Sequence, residues 1–150
     1  MHKKQIRALG IRQPYACLIA HGHKSIEIRS RRTTIRERIA IYATQRTNCG
    51  NDLAWVKEYA ERLGLDVYAP MQYGRIIATV DLTDCRELSY DEFVELQPMH
   101  WNPLDNFREG KTFAWELKDP VMILPPVRHK FSQGRIVWEN VDAGILEATI

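Results

Sequence analysis

Lys24, Ser25, Glu27 and Arg29 place an ammonium, a hydroxyl, a carboxylate and a guanidinium on one short stretch of chain. Ile26 and Ile28 alternate with Glu27 and Arg29, and alternate side chains of a strand point to opposite faces. The isoleucines can therefore face a core while Ser25, Glu27 and Arg29 face the other way, with Lys24 at the strand entrance. A carboxylate in such a cluster can act as a base, and a guanidinium can grip a phosphate with two parallel hydrogen bonds. The nearby anion favours the charged form of Lys24, which suits phosphate or carbonyl binding better than base work. On this reading Lys24 is a charged ligand-binding group held by Glu27, with Arg29 completing the cluster and orienting the carboxylate. Its replacement should impair binding and spare stability. The plainer alternative is a Lys24–Glu27 surface pair worth ~0–1 kcal/mol. Ser25 has no histidine close in sequence, so no hydrolytic triad is visible. His21 and His23 lack an evident third ligand, so no metal site is expected. There is no phosphate loop, dinucleotide fingerprint or zinc-protease motif, and no cofactor is expected.

The elements that must position these groups can be read from periodicity. Residues 7–11 read as a first strand. Residues 13–21 read as a helix with Pro14 in its first turn and Gly22 just past its end. Residues 25–29 form the second strand and 38–44 the third, with Ile39, Ile41 and Ala43 on one face. Thr44 and Arg46 end that strand and could line the same cleft. A second helix carries Leu53, Val56, Ala60 and Leu63 in one stripe and stops at Gly64. Ile76, Ala78, Val80 and Leu82 alternate along a fourth strand. Ser89 and Glu92 form a capping box, with Leu88 and Phe93 as its hydrophobic staple, and Pro98 ends that helix. Residues 99–111 read as a loop. Residues 112–117 form a strand, after which Pro120, Pro125 and Pro126 mark a rigid bend. Residues 135–139 form a last strand and 142–150 a tail. Short strands mixed with a few helices imply an α+β fold, a small curled sheet or barrel. Ile26, Ile28, Ile39, Ile41, Ile76, Val80, Phe113 and Trp115 should share one core.

The chain has 150 residues, 45% hydrophobic and 27% charged, which fits one globular domain with one core. No apolar run approaches the ~20 residues of a membrane span. The basic start of the chain leads into no apolar segment, so no secretory signal is expected. Three widely spaced cysteines indicate neither a zinc ribbon nor a disulfide framework, and a reducing cytoplasm is the expected compartment. The net charge of +2 hides an asymmetry: residues 1–50 carry 11 Lys or Arg against 2 acids, and the remainder is acidic. Arg29, Arg31, Arg32, Arg36, Arg38 and Arg46 dominate the basic part. They could hold a polyanion or pair with the acidic part across the fold, and the sequence leaves both open.

Several of these pieces together resemble the ASCH domain family. They are Gln13-Pro14-Tyr15, Gly22-His-Lys24 with Glu27 and Arg29, the strand 39–44, the run 81–85, Phe113-Ala-Trp115-Glu116 before Pro120, and Gly134 to Trp138. The resemblance runs from about residue 7 to 141 and is most specific in the first motif. It implies a PUA-like fold, a small β-barrel with helices flanking a cleft. It also implies an RNA- or nucleic-acid-binding module, although some small bacterial members resemble hydrolases that act on acetylated cytidine or on RNA. Lys24 matches the motif lysine, which is catalytic in the amidohydrolase branch. That branch has a threonine three positions later, where this chain has Glu27, a weak acyl nucleophile.

The leading functional expectation is therefore a module whose cleft takes RNA, another single-stranded nucleic acid or a nucleotide-like small molecule. Its contacts would come from Lys24, Ser25, Glu27, Arg29, Arg31, Arg32, Arg36, Arg38, Thr44 and Arg46. The alternative is a small hydrolase in which Lys24 and Glu27 are catalytic. A third reading is a protein-interaction domain presenting Trp55, Trp101 and the prolines. Tyr15 and Trp115 read as core residues and Glu95 as a solvated helix position.

Overall fold

The computed structural model of the chain describes residues 4–45, 50–66, 71–130 and 138–147. Arg46, Cys49 and most of the expected last strand lie outside them. The described residues form strands Gln5–Ile11 (β1), Ile26–Arg29 (β2), Glu37–Ala43 (β3), Arg75–Glu87 (β4), Phe113–Arg128 (β5) and Trp138–Asp142 (β6). The helices are Tyr15–Ala20 (α1), Gly50–Leu63 (α2), Tyr90–Glu95 (α3), Gln97–His100 (α4) and Ala143–Glu147 (α5). The strands make one mixed sheet in the order β2-β5-β4-β3-β1-β6. β1 and β3 run parallel, and every other neighbouring pair is antiparallel.

The α+β class holds, but backbone hydrogen bonds do not close the sheet into a barrel: β2 and β6 are its two ends among the described residues. Side chains bring its far parts together instead. Ile123 of β5 shares a cluster with Val141 of β6 and Leu146 of α5. His129, just past β5, also hydrogen-bonds Glu139 of β6.

Packing divides the expected single core into three. The main cluster lies between the sheet and helices α1 and α2, and holds Ile39, Ile41, Val80, Phe113 and Trp115. Ile76 belongs to a second cluster on the opposite face, with Ala40 and Tyr42. The cause is a register shift between Ile76 and Ala78, which breaks strict alternation and turns Ile77 toward the main cluster. Ile26 packs with Leu88, Phe93 and Ala114 in a third cluster, against which Ile28 leans. Both faces of β2 are thus engaged, one by this cluster and one by polar groups.

Three local expectations change. The prolines after residue 117 do not end a strand, because β5 continues to Arg128. β2 covers β5 only over residues 113–116, so Pro120, Pro125 and Pro126 lie beyond the stretch where a partner on that side would need their N–H. Pro98 does not stop the helical region but sits in the first turn of α4, where no N–H is needed. Part of the expected tail forms α5, with Leu146 buried. The capping box appears as read: Ser89 Oγ accepts from the Glu92 N–H, and the Glu92 carboxylate accepts from the Ser89 N–H.

Candidate functional site

The first helix delivers the motif. After α1 the N–H of Gly22 bonds the carbonyl of Ile19, and the N–H of His23 bonds that of Leu18. Gly22 has φ +82, which glycine alone adopts without strain, so this is a Schellman turn. The N–H of Lys24 also reaches the Leu18 carbonyl. The turn therefore fixes where β2 begins and which way Lys24 leaves the backbone.

Lys24 is not a group on the cleft surface: the residue is 1% exposed. Its Nζ donates to the carbonyls of Ile26 (2.7 Å) and His100 and lies 3.6 Å from Glu27 Oε1. Two of the three ammonium donors serve carbonyls, and the third side is taken by the ion pair with Glu27. The Tyr15 ring lies below the ammonium, its centroid 5.2 Å from Nζ. Burial lowers the Lys24 pKa from 10.5 to about 8, against the pull of Glu27 in the other direction. The lysine is still charged at pH 7. The expectation that its loss would spare stability fails here, because two carbonyls and a carboxylate would lose their partner in the interior.

Glu27 is 8% exposed and carries the chemistry outward. Lys24 holds Oε1, and Arg29 Nε donates to Oε2 at 3.0 Å. Arg29 Nη2 donates to the Gly10 carbonyl at 2.8 Å, and its guanidinium lies over the Trp115 ring at 5.7 Å. The expected orienting role of Arg29 thus has a geometric basis. Glu27 and Arg29 line a cleft of about 350 Å³ together with Gly10, Arg12, Tyr15 and Asn102. That volume is at the small end of ligand sites.

Arg12, Ser30 and Asn102 are polar cleft residues that the sequence reading missed. The Arg12 side chain is 54% exposed and pairs with Asp52 of α2 at 3.3 Å. Tyr15 Oη donates to the same carboxylate at 3.4 Å. Asn102 follows Trp101, which adopts φ 63 at the end of α4. A non-glycine residue in that region stores strain of order 1–3 kcal/mol, and two hydrogen bonds and the rings of His23 and Tyr59 hold it there. Trp101 is fully buried, its Nε1 donates to the His23 carbonyl at 3.0 Å, and its own carbonyl accepts from Trp55 Nε1 at 2.7 Å. Tyr59 meets its ring edge-on at 5.2 Å. The exposed Trp55–Trp101 patch of the third reading is therefore absent.

His100 locks the same wall. Its Nε2 lies 2.7 Å from the Phe93 carbonyl, and Nδ1 accepts from the Asn102 N–H at 2.9 Å. The proton is therefore assigned to Nε2. Burial lowers the His100 pKa from 6.5 to about 4, so the ring is neutral at pH 7. The His100 carbonyl serves both Lys24 Nζ and Asn102 Nδ2. One backbone oxygen thus joins the buried ammonium to a side chain of the cleft.

The other expected site residues lie elsewhere. Ser25 is half-buried, and its backbone bonds Met99 and Leu117. Thr44 Oγ1 is buried and unpartnered among the described residues, but Thr44 does not line the cleft. The arginines after β2 meet the acids of β4: Arg32–Glu87 at 3.3 Å, Arg36–Asp84 at 3.9 Å and Arg38–Asp81 at 3.3 Å. Of the two open readings of the basic stretch, pairing across the fold describes these three. Arg31 is exposed, and its carbonyl accepts from Trp115 Nε1. Trp115 is core, and Glu95 is exposed. Among the described residues no three potential metal ligands cluster, and no helix is long and apolar enough to cross a membrane. A larger groove of about 480 Å³ between α1 and α2 is lined mainly by apolar groups such as Leu18, Val56 and Met71.

A mixed sheet with a small polar cleft between the end of β1 and β2, backed by a buried lysine just before β2, defines the class of α+β domain. The ASCH domain model matches residues 9–127, and the chain belongs to the ASCH domain family. Its fold is similar to crystal structures of ASCH from Zymomonas mobilis. A serine-to-alanine variant of that protein aligns over 99% of this chain and 98% of its own, with TM-score 0.64 and 14% identity. Another structure of that protein aligns over 81% and 72%, with TM-score 0.56 and 17% identity. No curated protein matches the chain.

Proposed function

We propose that this ASCH domain binds single-stranded nucleic acid, RNA in the first instance, and that its cleft takes one nucleotide unit. One observation carries the reading: a carboxylate, an amide and a guanidinium converge on a small cleft, and each is held by partners behind it. Glu27, fixed by Lys24 and Arg29, accepts from the N–H groups of a base edge. Asn102 supplies a second polar contact, and Arg12 stands at the mouth where a phosphate would lie. A cleft of this size admits one splayed base and no duplex, which favours single strands. Family membership supports the same direction, since ASCH domains are regarded as RNA-binding modules. Lys24 is then a positioning residue that aims Glu27.

The hydrolase alternative comes from the family resemblance at Lys24, and the lowered pKa of that lysine is the observation in its favour. A lysine whose donors are all engaged, and which the cleft does not reach, is poorly placed to take a proton from a substrate. Titration of mononucleotides and short single-stranded RNA against wild type, Glu27→Gln and Arg12→Gln tests the proposal, with turnover of acylated nucleoside and RNA followed in parallel. Weakened binding in both variants without turnover is the expected result. Wild-type affinity in both variants would refute the cleft assignment, and turnover would replace binding with hydrolysis as the function.

A further inference from the structure

We infer a second anion site, a phosphate-binding pair formed by Arg75 and Arg128 at the end of the sheet. It rests on the reading above only for the identity of its ligand, the backbone of the strand whose nucleotide fills the cleft.

The sheet register places four residues in one row: Ile11 of β1 pairs with Ala43 of β3, Ala43 with Arg75 of β4, and Arg75 with Arg128 of β5. Directly paired residues project from the same face. Ile11 and Ala43 are buried in the main cluster, so the row starts apolar and ends in two guanidinium groups. Like charges directly opposed across a ladder are destabilising. Elsewhere the same sheet avoids this, with Asp81 lying between Arg38 and Lys118. Asp84 and Glu116 are also opposed like charges, but Arg36 serves Asp84. Arg75 and Arg128 have no acidic partner among the described residues. Arg75 is half-buried and Arg128 exposed, and the exposed Lys130 follows Arg128 by two residues.

A phosphate between the two forks would turn this repulsion into two charge-assisted contacts. The position suits a chain leaving the cleft. Arg12, at the cleft mouth, directly follows Ile11. With strands about 4.8 Å apart, the Arg75 backbone lies about 10 Å and the Arg128 backbone about 14 Å along the row from Ile11.

The test compares wild type, Arg75→Gln/Arg128→Gln and, as a control of equal charge change, Lys57→Gln/Lys111→Gln. Each is titrated with a mononucleotide and with a single-stranded RNA octamer over a salt series. The arginine variant should bind the mononucleotide as wild type does. Its octamer slope of log K against log salt should be shallower by about 1.4, two contacts at ~0.7 each. The wild-type advantage should then shrink about 7-fold between 50 and 200 mM salt. Its melting temperature should hold or rise, because a repulsion has been removed. Guanidinium NMR signals of Arg75 and Arg128 should shift on adding inorganic pyrophosphate. An unchanged slope with unmoved signals overturns the site, as does an equal slope change in the lysine control. If instead the mononucleotide fails to bind wild type while the arginine signals move, the cleft reading is the one that falls.

Discussion

Replacing Lys24 with Met tests the energetics on which the cleft is built. The wild-type ammonium is buried at a cost visible in its pKa, which falls from 10.5 to about 8. At 1.36 kcal/mol per pKa unit this is about 3 kcal/mol. Methionine removes that cost but leaves the Ile26 and His100 carbonyls and Glu27 Oε1 without their donor. Orphaned buried acceptors cost ~1–3 kcal/mol each, and breaking a buried ion pair costs ~3–5 kcal/mol. The orphaned groups outweigh the relief, so Lys24→Met should lose several kcal/mol at pH 7. The pH dependence isolates the cause. Because the folded pKa lies below the unfolded one, the unfolded state holds the extra proton between pH 8 and 10.5. Stability from this group therefore rises with pH in that window. The raised pKa values of Cys17 and Tyr15 act in the opposite sense near and above pH 9, but both proteins contain them. Urea unfolding followed by tryptophan fluorescence at pH 7, 8, 9 and 10 gives the difference. The gap between wild type and variant should widen by about 2 kcal/mol between pH 8 and 10. A gap independent of pH would show that burial does not lower the Lys24 pKa, and the energetic balance worked out above would be refuted.

His100 predicts the acid limb. Its folded pKa of about 4 lies below the unfolded 6.5, so stability should fall as pH drops from 6.5 toward 4, by up to about 3 kcal/mol. His100→Gln should remove that slope in equilibrium unfolding, and equal acid slopes in the two proteins would contradict it. Ser89→Ala should cost ~1 kcal/mol by removing the cap on α3, read from the urea midpoint. No loss would mean that the staple residues Leu88 and Phe93 alone set the helix start.

Legibility from the sequence followed the range of the interactions. β2, the Gly22 turn and the Ser89–Glu92 box are set by neighbours within a few residues, and each appears as read. Ile26 and Glu27 face opposite sides because alternation alone decides it. The misreadings arise where distant chain decides. Ile76 changes cluster because a bulge with β5 shifts the register. Pro120 stays within a strand because β2 is too short to need its N–H. Lys24 reads as an accessible cleft group because nothing near it in sequence announces the His100 carbonyl. Asn102 and Arg12 carry no motif of their own. The one local hint was the density of aromatic and polar groups from His100 to Asn102, which a loop reading set aside. The charge asymmetry gave a correct question, and the β4 acids answered it for Arg32, Arg36 and Arg38.

The bonds that build the cleft also bear on folding. Lys24 reaches His100 across 76 residues, Trp101 reaches His23 across 78, and Trp115 reaches Arg31 across 84. Loop closure on that scale must be complete before any of these contacts contributes, so they belong to the slow, high-contact-order part of folding. The β2 segment can form its alternating strand early, with Lys24 on the Ile26 carbonyl and Arg29 on Glu27, yet without residues 93–102 the lysine lacks the His100 carbonyl and the cleft lacks its Asn102 wall. Ligand affinity should therefore track the intactness of the region around α3 and α4 rather than that of the motif strand. A nascent or partly opened chain would carry the whole motif and still be unable to bind.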